Sequence, residues 1–113
     1  MKIKGISKIP FQYHWKDKML MSVKVCTSRP YPMAQEETVF VAFGRMFIVT
    51  KVEKVYLRTV AYEYYIKEGC SSPEEFIKIW KGIHYIKGYQ PGQEVWLHHF
   101  EILPEDEKIE WSN

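Results

Sequence analysis

At 113 residues the chain has room for one compact domain and not for two. Its 46 % apolar and 16 % aromatic content supplies a core and argues against disorder except at the ends. The net charge of +2 is uneven: residues 1–30 carry seven basic side chains against one acid, Asp17, while the remainder is acidic and ends in "EILPEDEKIE".

No apolar run approaches the roughly 18–20 residues that span a bilayer, and "MKIKGISKIP" lacks the apolar middle of a signal peptide. The expectation is a soluble, cytoplasmic protein with no membrane partner. Cys26 and Cys70 form no CxxC pair and read as free thiols of a reducing compartment. Amides are scarce, with four Gln and one Asn, a bias typical of thermophiles. The basic first quarter suits attraction of phosphates, and it equally suits lysines spread over a solvated surface.

Taken in chain order, "PFQYHWKDKMLMSV" predicts a helix. Pro10 suits its first position, and Phe11, Trp15, Met19 and Leu20 recur at helical spacing. "TVFVAF" and "RMFIVTKVEKVYL" predict two strands, with Gly44-Arg45 as the hairpin turn between them. "RTVAYEYYIKEG" predicts a helix capped by Thr59 and ended by Gly69 in a left-handed conformation. In "SSPEEFIKIWKGIH", Ser72 and Glu75 form a capping box, and Phe76, Ile79, Trp80 and Ile83 make one buried stripe. "GYQPG" is a turn and "QEVWLHHFEIL" a final strand. The order predicts an α+β fold around a small, largely antiparallel sheet with flanking helices. The single domain covers 1–113, with a core of about 10–103 and an acidic tail, 104–113.

Between the first helix and the strands lies "SVKVCTSRPYP", with Lys24, Cys26, Thr27, Ser28 and Arg29 within six residues. "SVKVCTSR" resembles the small-x-Lys-x-x-Thr/Glu-x-Arg signature of the ASCH family of the PUA-like superfamily. "FIVTKVEKV" is similar to that family's central strands, "YYIKEGCSSPEEFIKIWKGIH" to its Glu-Gly-x-x-Ser helical segment, and "VWLHHFEIL" to its closing strand. The resemblance implies a β-barrel-like fold with helices packed on it and a cleft lined by the motif. It implies RNA or a modified nucleoside as partner. Some bacterial members are amidohydrolases that deacetylate N(4)-acetylcytidine, and another member is reported to act as a ribonuclease. The residues that match the hydrolase positions are Lys24, Thr27 and Glu68. Ser22 stands where the motif usually opens with glycine, which disfavours a positive φ there.

The cluster has two readings. In an extended segment Lys24 and Thr27 point to opposite faces, so they converge only if the chain bends between them. Given that bend, a desolvated Lys24 takes a proton from Thr27 or water, and Glu68 orients it or serves the leaving amine. Arg29 then meets a phosphate or base edge, Tyr31 stacks a base, and Ser22 and His84 sit at the lip. In the other reading Lys24 and Arg29 are exposed strand-end charges paired with acids such as Glu68, worth about 0–1 kcal/mol. Cys26 is either a reactive thiol or a small buried filler. No cofactor is implied. No histidine spacing supports a metal, since His98 and His99 point to opposite faces of a strand. The oligomeric state is not encoded legibly.

Overall fold

The longest strand sets the frame. In the computed structural model, which describes residues 1–111, β5 (Arg45–Tyr56) runs the length of a five-stranded sheet. The other strands are β1 (Lys2–Ile3), β2 (Gly5–Ile6), β3 (Cys26–Arg29), β4 (Thr38–Ala42), β6 (Glu94–Ile102) and β7 (Glu110–Trp111). β4 and β6 flank β5 antiparallel, β3 adds antiparallel to β6, and β2 adds parallel to β4. β1 and β7 form a separate parallel pair.

The sheet is mixed and open, with order β2-β4-β5-β6-β3, so the expected barrel gives way to an open sheet among the described residues. Closure needs continuous pairing around the circumference, and the two edges here are strands of two and four residues. The hairpin turn is Phe43-Gly44, one residue earlier than expected. Ala42 pairs with Arg45, and φ is +55° at Phe43 and +75° at Gly44, the double positive φ of a two-residue hairpin loop.

The first helix is shorter than its spacing suggests: a 3-10 turn at Tyr13–Trp15 and then α1 (Lys16–Leu20). Residues 10–12 stay outside the helix because tertiary contacts hold them. Phe11 stacks on Phe40 at 5.7 Å, and the Pro10 carbonyl accepts a bond from Arg29. α2 (Leu57–Glu63) follows β5 directly, so Thr59 lies inside the helix and Tyr56 is its N-cap. The helix ends earlier than predicted, at Glu63 with Tyr64 as its C-cap, so Gly69 does not terminate it. Gly69 adopts φ +91° at the end of the turn that follows, where its N–H donates to the Ile66 carbonyl.

α3 (Pro73–Ile83) has the predicted cap, with Ser72 Oγ accepting from the Glu75 N–H. The reciprocal bond shifts by one, because the Glu75 carboxylate accepts from the Ser71 N–H. Phe76 and Trp80 are buried, while Ile83 at the helix end is half exposed. These residues join the sheet through one core centred on Phe40, Phe47 and Phe100, whose rings lie 5.2–5.7 Å apart. A second cluster, Ile3, Val39, Ile48 and Leu103, lies beside the β1–β7 pair. No helix among the described residues is long and apolar enough to cross a membrane.

Candidate functional site

The chain leaves α1 through Ser22, whose φ of +59° is the left-handed turn the motif glycine would supply; here a serine adopts it. Two backbone clamps follow. The N–H groups of Val23 and Lys24 both donate to the Lys18 carbonyl, and those of Val25 and Cys26 both donate to the Lys67 carbonyl. The second clamp ties the start of β3 to the segment before α3, so Lys24 meets Glu68 before the strand begins. This is the bend that convergence requires.

Lys24 is 2 % exposed and Glu68 5 %, so the pair is buried rather than the exposed strand-end pairing. Lys24 Nζ donates to Glu68 Oε1, to the Glu68 carbonyl and to the Cys26 carbonyl, each at 2.9 Å. An ammonium has three donors, and all three are used. The Trp15 ring lies 4.4 Å from the same nitrogen, a cation–π contact. Glu68 Oε2 is buried with no hydrogen-bond partner. Gly69 is required beneath this pair: a Cβ there would lie 3.0 Å from the Trp15 ring and 3.1 Å from Lys24 Cβ.

Thr27 and Arg29 share one face of β3. Thr27 Oγ1 accepts from Arg29 Nε at 3.2 Å, and Arg29 Nη2 donates to the Pro10 carbonyl at 2.8 Å. The guanidinium also lies 5.0 Å from the Phe11 ring centre, so much of its bonding capacity faces inward. Burial holds its pKa below the usual arginine value. Behind the strand, His98 is fully buried. Its Nε2 accepts from the Met33 N–H at 3.0 Å, which leaves Nδ1–H to donate to the Thr27 carbonyl. The ring is thereby a neutral pin between β3 and the loop that follows it. Burial lowers its pKa, consistent with that neutral form.

These side chains open on a cleft of about 480 Å³. Lys24, Thr27 and Glu68 form its buried end, Phe11, Trp15, Phe76 and Trp80 contribute apolar walls, and Tyr31 and His84 stand at its exposed end. His84 lies 4.1 Å from Trp80, ring centre to ring centre, and its pKa is lowered by partial burial and by the charges of Arg29 and Lys87. Trp80 Nε1–H, like Glu68 Oε2, is buried without a partner. An apolar cleft of this size with a few polar groups at one end is the form of a small-ligand site.

Six of the residues singled out in the sequence therefore meet in one cleft: Lys24, Thr27, Arg29, Tyr31, Glu68 and His84. Ser22 does not; it is exposed at the turn and shapes the approach of Lys24 instead. Cys26 is the buried filler, its thiol pushed far up by burial and then by the Glu68 charge. Cys70 is also a free, buried thiol, raised to about 11 for the same two reasons. Trp80 reads from its stripe as core, and it is core; Trp15, from the predicted first helix, is core as well, and both rings wall the cleft. His98 carried no signal beyond strand alternation. Its neighbour His99 faces away and bonds Glu53 Oε2 at 2.6 Å. Among the described residues no three His, Cys, Asp or Glu side chains are placed to hold a metal.

No family model matches the sequence, and no curated protein matches it. Solved structures do. An ASCH domain from Lactobacillus crispatus JV V101 superposes with a TM-score of 0.60 over 89 % of this chain and 79 % of its own, at 14 % identity. The fold is that of an ASCH domain. A hypothetical protein, PH0355, superposes with a TM-score of 0.63 over 91 % of this chain and its own full length, at 14 % identity. The protein EF3133 from Enterococcus faecalis V583 gives 0.57 over 91 % of this chain and 81 % of its own, at 16 % identity. In this ASCH fold the Lys24–Arg29 segment follows α1 and Glu68 lies between α2 and α3, and the Lys67 clamp joins them.

Proposed function

We propose that the cleft binds one nucleobase, carried by RNA or by a modified nucleoside. The observation that supports this most is Glu68 Oε2, a buried carboxylate oxygen without a partner at the end of an aromatic-walled cleft. Such an oxygen is costly to leave unbonded, and a ligand that donates an N–H to it removes that cost. A base is planar and suits aromatic walls, and its edge also carries an acceptor for the free Trp80 N–H. The Lys24–Glu68 pair is neutral overall, so Arg29 leaves the site with one net positive charge, favourable to a ligand that carries a phosphate nearby. Titration of tryptophan fluorescence with free nucleosides, N(4)-acetylcytidine among them, tests the reading. Saturable binding is expected, and Glu68→Gln should weaken it roughly tenfold or more. A wild-type protein that is folded and binds none of the nucleosides refutes it.

A second reading is favoured by Lys24, Thr27 and Glu68 lining the same cleft, with Lys24 paired to Glu68: an amidohydrolase that adds water to the acetyl amide of N(4)-acetylcytidine and releases acetate and cytidine. Because all three N–H donors of Lys24 are engaged, its part is to anchor Glu68. The vacant Glu68 Oε2 is then the proton acceptor for water or for Thr27, and it returns the proton to the leaving amine. Chromatographic release of cytidine by the wild type and not by Glu68→Gln or Lys24→Ala supports this reading; no release leaves the binding site alone.

A further inference from the structure

Between Glu75 and Glu94 the chain contains Lys78, Lys81 and Lys87 and no acid. α3 ends in this stretch, and residues 84–88 close into a turn. The His84 N–H donates to the Trp80 carbonyl, and the Gly88 N–H, at φ +67°, donates to the His84 carbonyl at 2.7 Å. The tip of the turn is Tyr85-Ile86-Lys87. Tyr85 is 79 % exposed and Ile86 86 %, and Ile83 just before them is half exposed on the cleft wall. Single exposed apolar side chains are ordinary. Three within four positions, continuous with the opening of an apolar cleft, mark a surface that something covers. Tyr31 stands exposed at the same opening, and Lys87 and Arg29 are the cations whose charges bear on His84 there.

We infer that the Tyr85–Lys87 turn extends the cleft into a surface for single-stranded nucleic acid, on which a nucleotide next to the bound base stacks. The inference rests on the nucleobase reading of the cleft and names the partner as a strand rather than a free nucleoside. Tyr85 offers a ring to a neighbouring base, which accepts stacking whatever its sequence. Lys87 neutralises an adjacent phosphate in a stretch that has no acid to repel it. A globular protein partner is the weaker match, because the exposed apolar set is small and lies between cations.

The test compares cytidine, uridine and adenosine with the corresponding nine-residue RNA and DNA homo-oligomers, using the wild type, Tyr85→Ala and Lys87→Gln. Both substitutions lie at an exposed turn tip, and circular dichroism confirms that the variants are folded. A nonamer is expected to bind about tenfold or more tighter than the nucleoside of the same base, with Tyr85→Ala removing about 5- to 100-fold of nonamer affinity. Nucleoside affinity should stay within about twofold in both variants, and Lys87→Gln should reduce the salt slope of nonamer binding by about 0.7. RNA and DNA binding equally well, or RNA alone binding, both support a strand-binding surface. If nucleosides bind but nonamers gain nothing, or if both variants keep full nonamer affinity, the inference is overturned and the nucleobase site stands. If neither nucleosides nor nonamers bind, the nucleobase reading falls with it.

Discussion

Gly69 and the Lys24–Glu68 pair show how little freedom the buried end of the cleft allows. Gly69 holds φ +91° with two neighbours within 3.1 Å of where a Cβ would sit, one of them a ring that two lysine ammoniums contact. Gly69→Ala should therefore lose about 2 kcal/mol or more from strain alone, read as a lower urea midpoint at unchanged slope. The ion pair is a different case. Lys24→Met leaves a buried carboxylate uncompensated and two carbonyls, those of Cys26 and Glu68, without their donor, an expected loss of about 3–5 kcal/mol. Glu68→Gln also leaves a buried charge without its partner, but the Lys24 ammonium keeps an amide oxygen, the backbone carbonyls of Cys26 and residue 68 and the Trp15 ring around it. The loss should therefore be smaller, about 1–3 kcal/mol. Equal losses in urea melts of the two variants would refute the view that Lys24 is the anchor and Glu68 the group it serves.

At the scale of elements, the loop after β3 is held through one imidazole. His98 on β6 takes a hydrogen bond from Met33 and gives one to Thr27, and accepting the Met33 N–H requires the neutral ring. Burial, and after it the Arg29 charge, depress its pKa, while the Thr27 bond and Glu68 act the other way. Between the folded value and about 6.5 the unfolded chain then binds more protons than the native one, so stability is full above about pH 6.5 and falls as pH drops below it. Thermal melts of the wild type from pH 7 to 5 should show this slope, and His98→Gln should start lower at pH 7 but fall less; parallel slopes would sink the assignment. His84 shifts in the same direction, and the comparison isolates His98. Neither contact could be read in the sequence, because strand alternation gives the face of a residue and not its partner. What was legible were elements with redundant signals: α3 with its cap and stripe, and the β4–β5 hairpin. β1, β2 and β7 have two residues each, too few for any period to register. The helix drawn from Pro10 failed where Arg29 and Phe40 claim residues 10 and 11. The candidate site was legible as a motif, through its resemblance, while the bend that assembles it comes from a backbone clamp at Lys67 that no side-chain pattern encodes.

At the scale of the molecule, the acidic end of the chain and the basic beginning are brought together away from the cleft. The N-terminal ammonium donates to the Lys108 carbonyl, Glu110 N–H donates to the Met1 carbonyl, and Ile109 packs against the cluster of Ile3, Val39, Ile48 and Leu103. None of these residues lines the cleft. Deleting residues 104–113 should therefore remove about 1–2 kcal/mol, the value of a partly buried isoleucine and a two-residue strand pair, and leave nucleoside affinity unchanged. The same deletion removes four acids and one lysine and takes the formal net charge from +2 to +5. A strand-binding surface responds to that change at long range: association with an oligonucleotide should speed up at low salt, and the difference should fade once the Debye length shrinks to about 3 Å near 1 M salt. Stopped-flow association of a labelled nonamer with the full and shortened chains, at low and high salt, checks this. A rate gain that persists at high salt would mean that the tail blocks the cleft by contact rather than repelling its ligand by charge, which the placement of the β1–β7 pair argues against.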